Sequence, residues 1–223
     1  MEFADRRSAG RMLAGKLAGL AELGDHRGVT VVGLPRGGVP VAYEVALAFG
    51  APLDVLIVRK LGVPWSPELA MGALASGGIV VENPDVMSGI DGASEVLQSV
   101  LSKERAELQR REQRYRRGTA AAPVAGRTVV LVDDGAATGA TMLAGVRSLA
   151  ARGASRIVAA VPVASIEAAE RLRAEADTFV ALSTPGGFMA VGSFYASFPQ
   201  VDDQEVIDLL AESKKITVAV SNQ

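Results

Sequence analysis

Two adjacent carboxylates, Asp133 and Asp134, follow the apolar run Thr128 to Val132. Behind them come Gly135, Ala136, Ala137, Thr138, Gly139, Ala140 and Thr141, with no bulky side chain among them. An ionised carboxylate only accepts hydrogen bonds, so the pair suits vicinal hydroxyls and repels an anion. The small-residue stretch suits the anion instead. It leads into a helical pattern that resumes at Met142, and a loop entering a helix N-terminus offers unpaired N–H donors and a favourable dipole. Thr138 and Thr141 add hydroxyl donors. Residues 136–141 can therefore hold a phosphomonoester without a lysine. One ligand satisfies both halves: a ribose 5-phosphate group, its hydroxyls on the aspartates and its phosphate in the loop. The bland alternative is a strand end with a helix cap, but a cap needs a single acid or hydroxyl. The lysine of a G-x-x-x-x-G-K loop is absent, and so is the G-x-G-x-x-G dinucleotide fingerprint.

The elements that must position this loop can be read from hydrophobic periodicity. Leu13, Leu17 and Leu20 mark an amphipathic helix over residues 4–23. A buried strand covers 29–34 and is followed by the sequence PRGG. A helix covers 40–49 and stops at Gly50. A second strand is expected over 53–60, ending in two cations, and 70–83 reads as a glycine-turned hairpin. A long charged helix spans 93–117. Then come a strand at 128–132, a helix at 140–152 stopped by Gly153, a strand at 156–163, a helix near 165–176, a strand at 178–182 and a helix near 203–213. The sequence ITVAV near the end reads as a short strand or a tail. Strands alternating with helices imply an α/β fold, a mostly parallel twisted sheet flanked by helices. Ligands in such folds sit at the carboxyl ends of the strands. The unusual loops after residues 33, 58 and 132 all lie at such ends.

The bulk composition narrows the function classes. With 223 residues, 49% of them hydrophobic, the chain can bury a core, and a formal net charge of −2 gives no global field for nucleic acid. There is no cysteine, which removes disulfides and thiolate chemistry and fits the cytoplasm. The one histidine, His26, sits in a polar turn, and no G-x-S-x-G elbow is present. No apolar run is long enough to span a membrane, and residues 1–23 do not read as a signal peptide.

The stretch VVLVDDGAATGAT (129–141) resembles the thirteen-residue phosphoribosyl pyrophosphate signature of type I phosphoribosyltransferases: apolar residues, two acids, a short variable stretch, then Thr-Gly-x-Thr. The resemblance covers most of the chain as a single domain over 1–223. It implies a core of about 25–182, a small hood of about 183–213 with the N-terminal helix, and a mobile loop of about 60–85. VRKLG, ELAMGA and the C-terminal AVG..Y..F are similar to an uncharacterised bacterial subgroup of that family. By resemblance, GLPRGGVPVAYEVA (33–46) is a pyrophosphate loop, with Pro35, Arg36, Gly37 and Gly38 around the pyrophosphate and a cis peptide between Pro35 and Arg36. The glycines would free the backbone to turn. Arg59 and Lys60 would assist catalysis by neutralising the departing pyrophosphate. The segment 62–83 would be a lid with its tip around Ser76–Gly78.

The resemblance further implies transfer of ribose 5-phosphate from phosphoribosyl pyrophosphate to a nitrogen acceptor, a nucleobase. Mg²⁺ would be carried by the donor, meeting Asp133 and Asp134 only through hydroxyls or water, and the enzyme would be a homodimer. Ala137 stands where 6-oxopurine enzymes usually carry an aspartate, which speaks against hypoxanthine, guanine or xanthine by that mechanism. By position the base meets Phe194 and Tyr195, unless these rings close a small satellite core. The rival class is a non-catalytic regulator sensing phosphoribosyl pyrophosphate or a nucleotide, which would use the basic stripe Arg110, Arg111 and Arg114 on RNA or DNA. A solvated helix is the plainer reading of that stripe, and no nucleic-acid partner is expected.

Overall fold

The computed structural model of the protein describes residues 2–118 and 120–221. Its central sheet has five parallel strands: β1 (Val29–Gly33), β2 (Leu53–Val55), β6 (Thr128–Val132), β7 (Arg156–Val163) and β8 (Thr178–Ser183), in the order β2-β1-β6-β7-β8. The continuous Val/Ile/Leu/Ala runs are explained by burial on both faces. On one face Val29, Val31, Val130, Val132 and Val158 pack under helices α1 (Arg6–Ala18), α2 (Gly38–Phe49), α4 (Ala93–Arg116) and α7 (Asp203–Ser221). On the other, Val32, Val129, Leu131, Ile157 and Val161 pack under α5 (Ala140–Ala151) and α6 (Ile166–Glu175).

A second sheet of three antiparallel strands, β3 (Val58–Val63), β4 (Ser66–Ala75) and β5 (Ile79–Glu82), stands at the β2 edge. It is followed by the one-turn helix α3 (Pro84–Met87). The apolar run expected as one strand over 53–60 is therefore two strands in two sheets. Leu56 N–H still donates to Gly33 O of the parallel sheet, while Ile57 is already bonded through backbone and hydroxyl to Ser76. Leu56 and Ile57, on either side of the handover, are both buried, so hydropathy does not mark where one sheet hands the chain to the other. The hairpin expected over 70–83 is present as β4 and β5, with Gly77 and Gly78 at positive φ in the turn.

Other boundaries shift modestly. The first helix ends at Ala18, and a 3-10 turn, Ala21–Leu23, completes the expected span. Helix α2 begins at Gly38, two residues before the expected start, and closes on Gly50 in the left-handed region. The ITVAV segment is no strand: α7 continues to Ser221. The hood is tied across the chain, with Phe3 N–H donating to Phe194 O, Ala196 N–H to Phe3 O and Ser197 N–H to Ala4 O. Residues 3–4, just before α1, thus pair through the main chain with 194–197.

Candidate functional site

Strand order reverses direction between β1 and β6. A crevice opens outside the carboxyl ends of strands at such a switch point, and the two loops singled out by sequence, 34–38 and 133–139, border it. Leu34 N–H donates to Val132 O at 2.9 Å, binding the loops side by side. The Pro35–Arg36 peptide is cis. The glycines that follow do not serve a turn: Gly37 has ordinary helical dihedrals (φ −61°, ψ −31°). They serve close approach. A Cβ on Gly37 would strike the Asp134 carboxylate, and one on Gly38 would lie 2.8 Å from both Asp133 Cα and Val132 O. Gly38 N–H is committed to Leu34 O, so its contribution to any ligand is space rather than a donor. Arg36 lines a cleft of about 450 Å³ with Arg6, Gly37, Asp134, Phe198 and Gln200, and its guanidinium has no ion-pair partner among the described residues.

Between these loops sit the two carboxylates. Asp134 N–H donates to Asp133 Oδ1 at 2.8 Å, and Asp134 Oδ2 accepts from Arg6 Nε at 2.8 Å. Burial pushes both carboxyls above the usual carboxylate range. For Asp133 the charge of Asp134 adds to that push, whereas Arg6 opposes it at Asp134. Such a pair gains from a hydroxyl donor or a cation and is costly when left ionised alone.

The small-residue loop is fixed from behind and open in front. Ala136 N–H donates to Val163 O, Ser165 N–H to Ala136 O, and Ser165 Oγ to Ala137 O at 2.6 Å. Gly139 caps α5 in the left-handed region (φ 73°), where a side chain would be strained. Among the described residues, no acceptor takes the N–H groups of Ala137, Thr138, Gly139 and Thr141. Four unpaired donors thus lie at a helix N-terminus, and Thr138 and Ala140 are exposed beside them. An arrangement of this kind, a cradle of main-chain donors, is suited to an anion.

The β3–β5 arm carries the other expected cations. Arg59 Nε donates to Glu104 of α4 at 2.7 Å, and Lys60 pairs with exposed Glu68 at 3.1 Å. Lys60 lines a second cleft, of about 330 Å³, with Ala140 and Thr141 of the cradle; Arg59 is not among its lining residues. The expected lid tip is displaced. Ser76 is buried and anchors the arm to Ile57, so the free end is the β3–β4 turn, where Trp65 is 68% exposed.

One further expectation needs correction. Tyr195 is only 6% exposed, its ring against Phe3 and Phe198, and its hydroxyl donates to Asp134 O at 2.6 Å. It closes a satellite core and does not offer a ring face to a base. Phe194 packs on Phe188 with centroids 5.3 Å apart. The basic stripe stays at the surface, with Arg110 and Arg111 paired to Glu107 and Arg114 to Asp203 while Arg110 and Arg114 remain half exposed. Sequence reasoning missed Arg6 and Ser165. Arg6 lies in helical register with Ala9, Leu13 and Leu17, so a charge on the buried stripe was the available signal.

The model of the phosphoribosyl transferase domain family matches residues 9–184, which include both loops and the whole parallel sheet. The chain belongs to the phosphoribosyl transferase family. A Mycobacterium tuberculosis protein, described only provisionally as a phosphoribosyl transferase, is 49% identical over 208 residues, 93% of this chain and 46% of its own length. The chain therefore spans about half the length of the curated relatives it matches. The crystal structure of TT1426 from Thermus thermophilus is 48% identical, covers 95% of this chain and 99% of its own, and superposes with a TM-score of 0.84. The phosphoribosyl transferase match ends before Phe194 and Tyr195 and begins after Arg6, so the hood contacts to Asp134 lie outside it.

Proposed function

We propose that the protein transfers ribose 5-phosphate from phosphoribosyl pyrophosphate to a nitrogen acceptor, a nucleobase, releasing pyrophosphate in a Mg²⁺-dependent reaction. The observation that carries this reading is the meeting, at one switch point, of a neutral four-donor cradle and a half-buried carboxylate pair. The 5-phosphate takes the N–H groups of Ala137, Thr138, Gly139 and Thr141. The ribose hydroxyls donate to Asp133 and Asp134, which relieves the cost of burying their charge. Pyrophosphate lies along Arg36 and Gly37, where a guanidinium free of ion pairs among the described residues supplies donors.

The donor set fits Mg²⁺ in one manner. The described residues hold no cluster of three or more acidic or histidine side chains, and Asp134 is already engaged by Arg6. Mg²⁺ keeps several waters and needs few protein ligands, so it would ride on the donor, with Asp133 and Asp134 reaching it through hydroxyls or water. Bound there, it would supply neutralising charge to the leaving pyrophosphate. The chain's own contribution is to orient the anomeric carbon and to exclude water, which would otherwise hydrolyse the donor.

The test is titration calorimetry with phosphoribosyl pyrophosphate and Mg²⁺, followed by a pyrophosphate-release assay over a panel of bases. Donor binding lost in Asp134→Asn, with release dependent on one base, is the expected result. Binding without release from any base would make the chain a sensor. Absence of binding would remove the reading altogether.

A further inference from the structure

We propose that Arg6 is a positioning residue of the donor site: it aims the Asp134 carboxylate from the hood and couples the grip on the ribose to hood docking. The inference rests on the reading of Asp134 as a ribose ligand and goes beyond it, because no part of the family match includes Arg6.

The geometry is over-determined around this guanidinium. Nε donates to Asp134 Oδ2 at 2.8 Å, and a terminal nitrogen donates to Pro199 O at 2.7 Å. The guanidinium carbon lies 3.6 Å from the centre of the Phe198 ring. The Arg6 and Asp134 side chains are only 10% and 15% exposed. A planar cation stacked on a ring and hydrogen-bonded at two edges has little freedom left, so the carboxylate it holds is fixed with it. The hood grips the same residue a second time through Tyr195, whose hydroxyl donates to Asp134 O. Both contacts depend on the main-chain pairing of residues 3–4 with 194–197.

The placement of Arg6 is built further back. Asp5 caps α1 by accepting from Ser8 N–H at 2.7 Å, which fixes where the helix begins. Gly10 lets α1 cross α2 closely: a Cβ there would come within 2.7 Å of Val41 O. Without that approach Arg6 could not reach across to Asp134. The groups facing Asp134 are Arg6 from α1, Asp133 on its own loop and Tyr195 from the hood, with Arg36 and Gln200 lining the same cleft. Of these, Arg6 is the cation bonded to the carboxylate. A helix that merely needed a partner for a buried arginine would not require the acid to sit on the ribose loop.

The experiment compares native protein, Arg6→Gln and Arg6→Lys by calorimetry with two probes, ribose 5-phosphate and inorganic pyrophosphate, Mg²⁺ present throughout. In Arg6→Gln the affinity for ribose 5-phosphate falls by about tenfold or more, while that for pyrophosphate falls by a clearly smaller factor, since Arg6 lines the Arg36 cleft but the hydroxyls that need an aimed Asp134 carboxylate belong to the first ligand. Arg6→Lys recovers part of the loss. The pH at which ribose 5-phosphate binding is half lost moves upward in Arg6→Gln, because a lowering influence on Asp134 has been removed.

Should Arg6→Gln fold poorly, Phe198→Leu keeps the cation and removes its platform; it is expected to give a smaller loss with the same selectivity for ribose 5-phosphate. The proposal is overturned if ribose 5-phosphate binds the folded variants as it binds native protein. It is equally overturned if both probes weaken by the same factor, which is the signature of a structural role alone. If native protein binds neither probe, it is the ribose reading that fails first.

Discussion

The rim of the parallel sheet and the β3–β5 arm both carry residues expected to meet the same ligand, yet they are built in opposite ways. At the rim, Asp133, Asp134 and the cradle follow a strand buried on both faces, and their loops are held by Leu34, Val163 and Ser165 main-chain bonds. Glycines there allow backbone to pack against carboxylate. On the arm, Arg59 and Lys60 lie in a small antiparallel sheet whose contacts to the rest include one ion pair to α4, and whose end presents Trp65 to solvent. The rim is held by main-chain bonds to its neighbours on both sides. The arm is itself anchored in the main core through buried Leu61, Val63, Met71 and Leu74, and differs from the rim in ending in an exposed turn.

This contrast can be broken most directly at Asp134. Asp134→Asn is expected to weaken phosphoribosyl pyrophosphate binding roughly a hundredfold, equivalent to about 2.7 kcal/mol. Because it also strips Arg6 of its charged partner, the variant should lose about 1–3 kcal/mol of stability in denaturant unfolding, rather than remaining neutral as an open loop would. An affinity within twofold of native would show that the rim does not bind the sugar.

Next in size is Gly38→Ala, whose new methyl meets the Val132–Asp133 backbone and the Asp133 carboxylate. Overpacking of this kind costs about 1–3 kcal/mol, readable as a lowered urea midpoint, and donor affinity should fall with it. A gain in stability, as expected for a glycine in helical dihedrals with open space, would refute the close-approach account.

The arm should respond differently. Trp65→Ser is expected to lower turnover several-fold while leaving donor affinity and melting temperature near native values, since the ring is exposed. Trp65 is the one tryptophan in the chain, so donor-induced change in its emission reports closure directly. Loss of affinity with unchanged turnover would reverse the roles of rim and arm.

The smallest expected effect is a pH trend at the rim. Burial, with the charge of Asp134, raises the Asp133 carboxyl above its unfolded value. Between those two values the folded protein holds more protons than the unfolded one, so ligand-free stability contributed by Asp133 falls as pH rises through that window. Donor affinity should move the other way, because the ionised form accepts the ribose hydroxyls. Comparing native protein with Asp133→Asn from about pH 4 to about pH 7 separates the two trends.

Much of this was legible in residue order. Local periodicity and breaker residues gave the parallel strands and most helix spans, because a strand buried on both faces must be apolar throughout and Gly50 and Gly153 must stop helices. The order Asp-Asp followed by small and hydroxylated residues specified the cradle's chemistry, since its donors are main-chain groups that depend only on what side chains leave uncovered. Where the run 53–60 changes sheets was decided by tertiary structure, as apolar residues look alike whichever sheet buries them. So was the division of labour among cations: Arg59 is taken up by Glu104, Arg114 by Asp203, and Arg6, 128 positions from its partner, by Asp134. Charge pairing across such distances leaves no periodic trace in the chain. It arises only when packing at Gly10 and the pairing of residues 3–4 with 194–197 bring the N-terminus to the mouth of the sheet.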